Sequence, residues 1–268
     1  MTVAQDTEKP TALLNASVPL EEVAQFRVAR TRLQGNNIVY DLLAENNGAM
    51  DSAAGLWNMR AIKTSSLAKP TYDIFPRNDN SSSSLRTSYS APVGRVVSNA
   101  LGTEFSILAC PSNDTVEWTE VCIVLYKINI LGRHGPRKMT AVIRAVNESG
   151  QHFVDSTGDA SVSLAEKYHR LARRNVMTDE SGSIIVLENK LPKWNTNSRS
   201  YTLDFHGRVT VSSSKNFQLI NLDDDEYVVV QFGKVGDDTY SLDFRFPMSP
   251  VMAFGIVLTS LVRKLACA

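Results

Sequence analysis

The sequence is poor in the residues that catalysis and metal binding usually recruit. Its three cysteines, Cys110, Cys122 and Cys267, lack the paired spacing of a metal site, and its four histidines, His134, His152, His169 and His206, are scattered. It contains no glycine-rich phosphate loop, no nucleophile elbow and no H-E-x-x-H helix. These absences argue against the common phosphoryl-transfer, acyl-transfer and zinc-hydrolase chemistries, and no catalytic residue, metal ligand or cofactor is assigned. The acidic run Asp223-Asp224-Asp225-Glu226 lacks the spaced ligands and the glycine of a calcium loop, so it reads as a solvated hairpin tip.

A surplus of charge is missing too. Lys plus Arg and Asp plus Glu stand at 28 each, so no global field draws the molecule toward nucleic acid or membrane, and any such contact must come from a local patch. Nucleic acid is not an expected partner. The N-terminus MTVAQDTEKP lacks the basic-then-apolar order of a secretory signal, which points to a reducing, cytoplasmic setting. There the sequons Asn15-Ala16-Ser17 and Asn147-Glu148-Ser149 are ordinary polar loops. A membrane-spanning run is also absent: VMAFGIVLTSLV offers about 12 residues before Arg263 and Lys264, against the ~20 that a bilayer requires.

What remains is a globular chain, 43% apolar and 21% charged, with material for one sizeable core. Residues 1–20 show no periodicity and read as a flexible arm, leaving 21–268 as the folded domain. From there QFRVARTRL, NNIVYDLLAE, FSILAC, VCIVLYKINIL, MTAVIRAV, SIIVLENK, SYTLDFHGRVTVSS, YVVVQFGKV and YSLDFRF read as short strands separated by turn residues, the pattern of a barrel or sandwich. Segment 77–90, RNDNSSSSLRTSYS, is a low-complexity polar loop.

Two stretches depart from the β pattern. SLAEKYHRLARRN sets Leu164, Tyr168 and Leu171 against Lys167, Arg170 and Arg174, as a surface helix does. The C-terminal stretch starts with Ser249 as a cap and Pro250 at the first helical position, then runs apolar nearly all round. A helix without a polar face must be covered on every side, and the inside of a β-barrel satisfies that demand.

Longer signatures carry a family resemblance. FHGRVTVSSSKNFQLI (Phe205–Ile220), VVVQFGKVGDDTYSLDFRFPMSP (Val228–Pro250) and RKLAC (Arg263–Cys267) closely resemble the C-terminal domain of the tubby-like proteins. GRVVSNALGTEFSI, YKINILGRHGPRKM and LENKLPKWNTNSRSYTLDF resemble further family segments in the same order, so the match covers roughly residues 22 to 268. The resemblance implies a mostly β fold, a closed antiparallel barrel of about twelve strands around a buried hydrophobic C-terminal helix, without catalysis. It implies binding of phosphoinositide headgroups, phosphatidylinositol 4,5-bisphosphate above all, by a membrane-tethering adaptor for protein cargo, linked to ciliary or flagellar trafficking. The expected location is the inner face of the plasma or ciliary membrane, with the nucleus as a second setting.

A bisphosphorylated headgroup needs several cations converging on one point. The family's first source is an Arg/Lys-dense strand ahead of a Y-x-I strand. Here MRAIKTSSLAKPTYDI places only Lys63 on a basic position of that motif, with Arg60 and Lys69 nearby, off register. The second source is G-K-L-R-S-N, which reads Gly94-Arg95-Val96-Val97-Ser98-Asn99, so Arg95 replaces a lysine and Val97 replaces the arginine. Residues two apart on a strand share a face, so Arg95 can stand in for the charge lost at Val97. The turn containing Arg133, His134, Arg137 and Lys138 reads first as solvated, and Arg137 is a further contact candidate. The phosphoinositide site is thus expected at Lys63, Arg95, Arg60, Lys69 and Arg137. A second expectation is a protein-interaction or transcription-linked module whose lipid pocket has degenerated.

Overall fold

The computed structural model describes residues 14–33, 37–45, 57–64, 71–77, 91–110, 118–127, 138–146, 162–174, 183–196 and 199–262. Lys69, Arg133, His134, Arg137, His152 and the RKLAC signature lie outside them, as does nearly all of segment 77–90.

The strands are β1 (Ala24–Arg32), β2 (Ile38–Ala44), β3 (Met59–Lys63), β4 (Thr71–Pro76), β5 (Gly94–Ser98), β6 (Glu104–Ala109) and β7 (Thr119–Tyr126) in the first half. They continue with β8 (Met139–Arg144), β9 (Ile184–Asn189), β10 (Lys193–Asn195), β11 (Ser200–Thr202), β12 (Phe217–Asn221), β13 (Asp224–Gly236) and β14 (Thr239–Phe244). Helix α1 (Leu164–Arg173) separates β8 from β9, and helix α2 (Pro250–Leu261) follows β14. Twelve strands close in the order β1-β14-β13-β12-β9-β8-β7-β6-β5-β4-β3-β2, while β10 and β11 form a separate ribbon. The pairs around the ring are antiparallel, so closure leaves the barrel no bare edge.

Alternation sets the inside of the wall. Phe26 and Val28 on β1, Met59 and Ala61 on β3, Phe105 and Ile107 on β6, and Val230 and Phe232 on β13 are all buried in one cluster with α2. All twelve residues of α2 are buried. Ser249 caps the helix by accepting the Met252 N–H at 3.3 Å, and Pro250 occupies the first turn, where its missing N–H costs nothing. The polar atoms the helix carries inside are satisfied: Thr259 and Ser260 hydroxyls donate to the carbonyls of Ile256 and Val257 at 2.7 Å, and Thr259 also meets the Tyr126 hydroxyl at 2.8 Å. Close approach to the wall depends on two glycines. A Cβ on Gly94 of β5 would lie 2.6 Å from Val251, and one on Gly255 would lie 2.8 Å from Ile107.

Helix α1 is the expected surface helix, resting on the outside of β7 and β8. Leu164 is buried with Ile123, Val142, Ile184 and Val186, and Tyr168 and Leu171 pack at the edge of that cluster. Its start is fixed twice: Ser163 Oγ accepts the Glu166 N–H, and Glu120 Oε2 accepts the Leu164 N–H at 2.8 Å.

Two expectations need correction. The segment read as a loose arm is folded from Leu14 onward, with Leu14 and Val18 in the main core and the Val18 N–H bonded to Met248 O at 3.0 Å. And SYTLDFHGRVTVSS is no continuous strand. Only Ser200–Thr202 is extended in β11, after which the chain turns at His206 (φ 50°) and Gly207 (φ 75°) and lies across the outer face of β13 and β14. Its alternating pattern reflects that packing, with Val209 against Gly233 and Val211 N–H bonded to Lys234 O at 3.0 Å.

Removing residues 250–268 takes away the centre about which the strands close, and no soluble, monomeric, cooperatively melting product is expected. Gly255→Val is the finer test: overpacking against Ile107 should lower the melting temperature by roughly 2–12 °C, read by calorimetry.

Candidate functional site

The expected cations sit on strands β3 to β5, and the register separates them. Arg60 and Lys63 are three residues apart on β3, so they point to opposite sides of the wall. Arg60 is on the outer face, whereas Lys63 shares parity with Met59 and Ala61 and stands exposed at the barrel rim opposite Tyr72. Arg95 is on the outer face of β5, opposite Asp73. Arg60 and Arg95 therefore occupy one surface and Lys63 another.

On that outer surface the guanidiniums are already engaged. Arg60 forks onto Asp41, with Nε 2.6 Å from Oδ1 and Nη2 3.0 Å from Oδ2. Arg77, just beyond β4, approaches the same carboxylate at 3.3 Å. Arg95 forks onto Asp73 at 2.5 and 3.2 Å, and its Cζ lies 4.7 Å from the centroid of the Trp118 ring. Asp41 and Asp73 are both buried, and burying a carboxylate without such a partner is costly. Arg95 keeps 34% of its side chain exposed, and among the described residues the buried Nε of Arg77 has no hydrogen-bond partner. The cradle of acids that positions these arginines was readable in IVYDLLA and TYDIFP, where a lone aspartate interrupts an apolar strand and must find a cation.

A second charged cluster lies under the chain that crosses β13 and β14. Arg208 forks onto Asp243, with Nη2 2.6 Å from Oδ1, and reaches Glu45 at 2.7 Å. The hydrogen bond to Asp243 pushes its pKa above the ordinary arginine value. Behind it a relay of amides continues: Gln231 donates to Asp243 at 3.1 Å, and Gln218 donates to Gln231 at 2.6 Å and to Asp204 O at 2.7 Å. The FHGR signature is therefore a clasp. His206 itself is 73% exposed, with its N–H fixed by Asp204 at 2.7 Å, as expected of a residue held by local hydrogen bonds.

Among the described residues no cluster of three or more His, Cys, Asp or Glu side chains could hold a metal. Burial raises the pKa of the Cys122 thiol, which keeps it protonated and unreactive. The acidic tip at Asp224–Glu226 is solvated and paired, with Glu226 accepting from Lys193 at 2.8 Å.

Comparison with known proteins agrees with this architecture. The model of the Tub family matches residues 14–262. The chain is 42% identical over 179 residues to Tubby protein homolog 1 of Caenorhabditis briggsae, covering 65% of this chain and 42% of that protein. It is 41% identical over 179 residues to Tubby protein homolog 1 of Caenorhabditis elegans, covering 65% and 41%. With human Tubby-related protein 1 it shares 39% identity over 183 residues, covering 65% and 32%. The matched stretch thus spans less than half the length of these relatives.

The clasp gives a measurable expectation. Arg208→Ala strands the buried Asp243 without its cation, while Glu45 keeps Arg27, and should cost about 2–5 kcal/mol in chemical denaturation, while Arg208→Lys, lacking the planar fork, should recover only part of that.

Proposed function

The chain belongs to the Tub family, and from that premise we propose that its barrel is a non-catalytic adaptor that holds phosphoinositide headgroups, phosphatidylinositol 4,5-bisphosphate foremost, at a membrane surface. The observation that carries this reading is Arg95: outward-facing, oriented by Asp73 and Trp118, and half-buried, it presents a pre-positioned guanidinium on the wall that also carries Arg60 and Arg77. Such a fork matches phosphate oxygens in geometry and charge. The buried Nε of Arg77, without a hydrogen-bond partner among the described residues, leaves the wall receptive to an added anion. On this reading the protein works as a peripheral tether at the inner face of the plasma or ciliary membrane, carrying protein cargo.

A second reading has its own observation. The ion pairs at Asp41 and Asp73 neutralise most of the wall, and Val97 places an aliphatic side chain on the face of Arg95. A barrel in that state serves protein partners alone, including nuclear ones.

Vesicle co-sedimentation separates the two. Vesicles containing phosphatidylinositol 4,5-bisphosphate should retain the protein better than phosphatidylserine vesicles of equal charge. Arg95→Ala should weaken that retention by about tenfold, the scale of one charge-assisted hydrogen-bond pair. Equal retention on both vesicle types, or an unchanged Arg95→Ala protein, would sink the first reading and favour the second.

A further inference from the structure

The rim at the C-terminal end of α2 holds a second group of cations, distinct from the outer wall. Arg30 on β1 and Lys234 on β13 share parity with the core residues Val28 and Phe232, so both project toward the barrel mouth rather than outward. With Lys215, Ser213 and Tyr240 they line a polar cavity of about 510 Å³.

Three observations show that this cavity suits an anion. The carboxylates that border it, Asp237 and Asp238, are 107% and 40% exposed, whereas the Arg30 and Lys234 side chains are 20% and 28% exposed, so positive charge lies inside and negative charge outside. Arg30 engages Asp238 through Nη2 and, by its backbone N–H, at the Asp238 carbonyl at 2.8 Å. Among the described residues its buried Nε has no hydrogen-bond partner, an unfilled donor of the kind that bound ions or water satisfy. Lys234 keeps Asp237 at 3.6 Å, beyond hydrogen-bond reach.

Three carbonyls near the neighbouring helix end are already engaged within the helix itself. The carbonyls of Ile256, Val257 and Leu258 accept from the Thr259 hydroxyl, the Ser260 hydroxyl and the Val262 N–H. That part of the helix end is closed by its own chain.

We propose that the mouth binds a phosphate monoester carried on a small polar body. Arg30, Lys215 and Lys234 line the space such a dianion would fill, and Ser213 and Tyr240 add hydroxyls to the same lining. The volume exceeds that of a bare phosphate, and its walls offer an apolar ligand little.

Calorimetric titration tests this with inorganic phosphate and soluble inositol 1,4,5-trisphosphate as probes, against chloride at matched ionic strength. Both probes should bind, the trisphosphate more tightly, and Arg30→Gln should weaken both by about tenfold or more. Lys215→Gln with Lys234→Gln serves as the second variant should Arg30→Gln disturb folding. In the Arg95→Ala background, which removes the outer wall's share, both probes should still bind, and adding Arg30→Gln should weaken that remaining binding by about tenfold or more. Vesicles bearing phosphatidylinositol 4,5-bisphosphate distinguish the ligand's source. Retention of the Arg95→Ala protein that is lost on adding Lys234→Gln identifies a lipid headgroup, whereas probe binding without such retention identifies a soluble ligand. No probe binding above chloride, or binding that survives both mouth variants and disappears in Arg95→Ala, overturns the site.

Discussion

A helix with no polar face must be enclosed, and most of this structure follows from enclosing one. Strands that alternate can cover α2 with one face and meet water with the other, and closing them into a ring removes both the exposed helix and the exposed sheet edge. Every large apolar side chain so covered contributes about 1.5–3 kcal/mol before chain entropy is set against it. The fit is set by shape as well as by hydrophobicity: Gly94 and Gly255 bring backbone and wall together where any side chain would hold them apart. Because the interior is filled, the places left for ligands are the outer wall and the rims.

The same enclosure governs the charges. Aspartates at positions 41 and 73 interrupt largely apolar strands, and the arginines of neighbouring strands are bound to them in response. Asp243 is treated likewise by Arg208, which reaches it from outside the barrel. Each pair joins two segments distant in sequence, so the ion pairs act as fasteners of register as well as neutralisers.

How much of this could be read beforehand depends on the range of the interaction. The strands, the amphipathic α1 and the all-apolar α2 follow from periodicity within a dozen residues, and Ser249-Pro250 announced the helix start. The strap over β13 and β14 was misread because its alternation answers to a surface beneath it, while its departure from extended structure turns on two positive φ values at His206 and Gly207. Leu14 and Val18 were missed because two apolar residues make no pattern; only the core shows where they go. Of the candidate site, Arg60, Lys63 and Arg95 could be named, and the parity of β3 already separates the first two. Their partners could not be assigned, since pairing Asp73 with Arg95 or Asp41 with Arg60 requires the strand order. The mouth cluster was hidden for the same reason, drawing Arg30, Lys215 and Lys234 from places nearly 200 residues apart.

The buried aspartates on the outer wall have one more implication. A guanidinium held by an internal carboxylate carries a threshold: an incoming anion must offer more than the carboxylate already does. A monoanionic phosphodiester, like that of an ordinary lipid, exchanges one single charge for another and loses its hydration in doing so. A polyanion can share the arginine with the aspartate and still gain from the neighbouring cation. On the proposed tethering role, Asp41 and Asp73 would convert a surface that attracts any negative membrane into one that counts charge, passing over the abundant singly charged species for the rare dense ones.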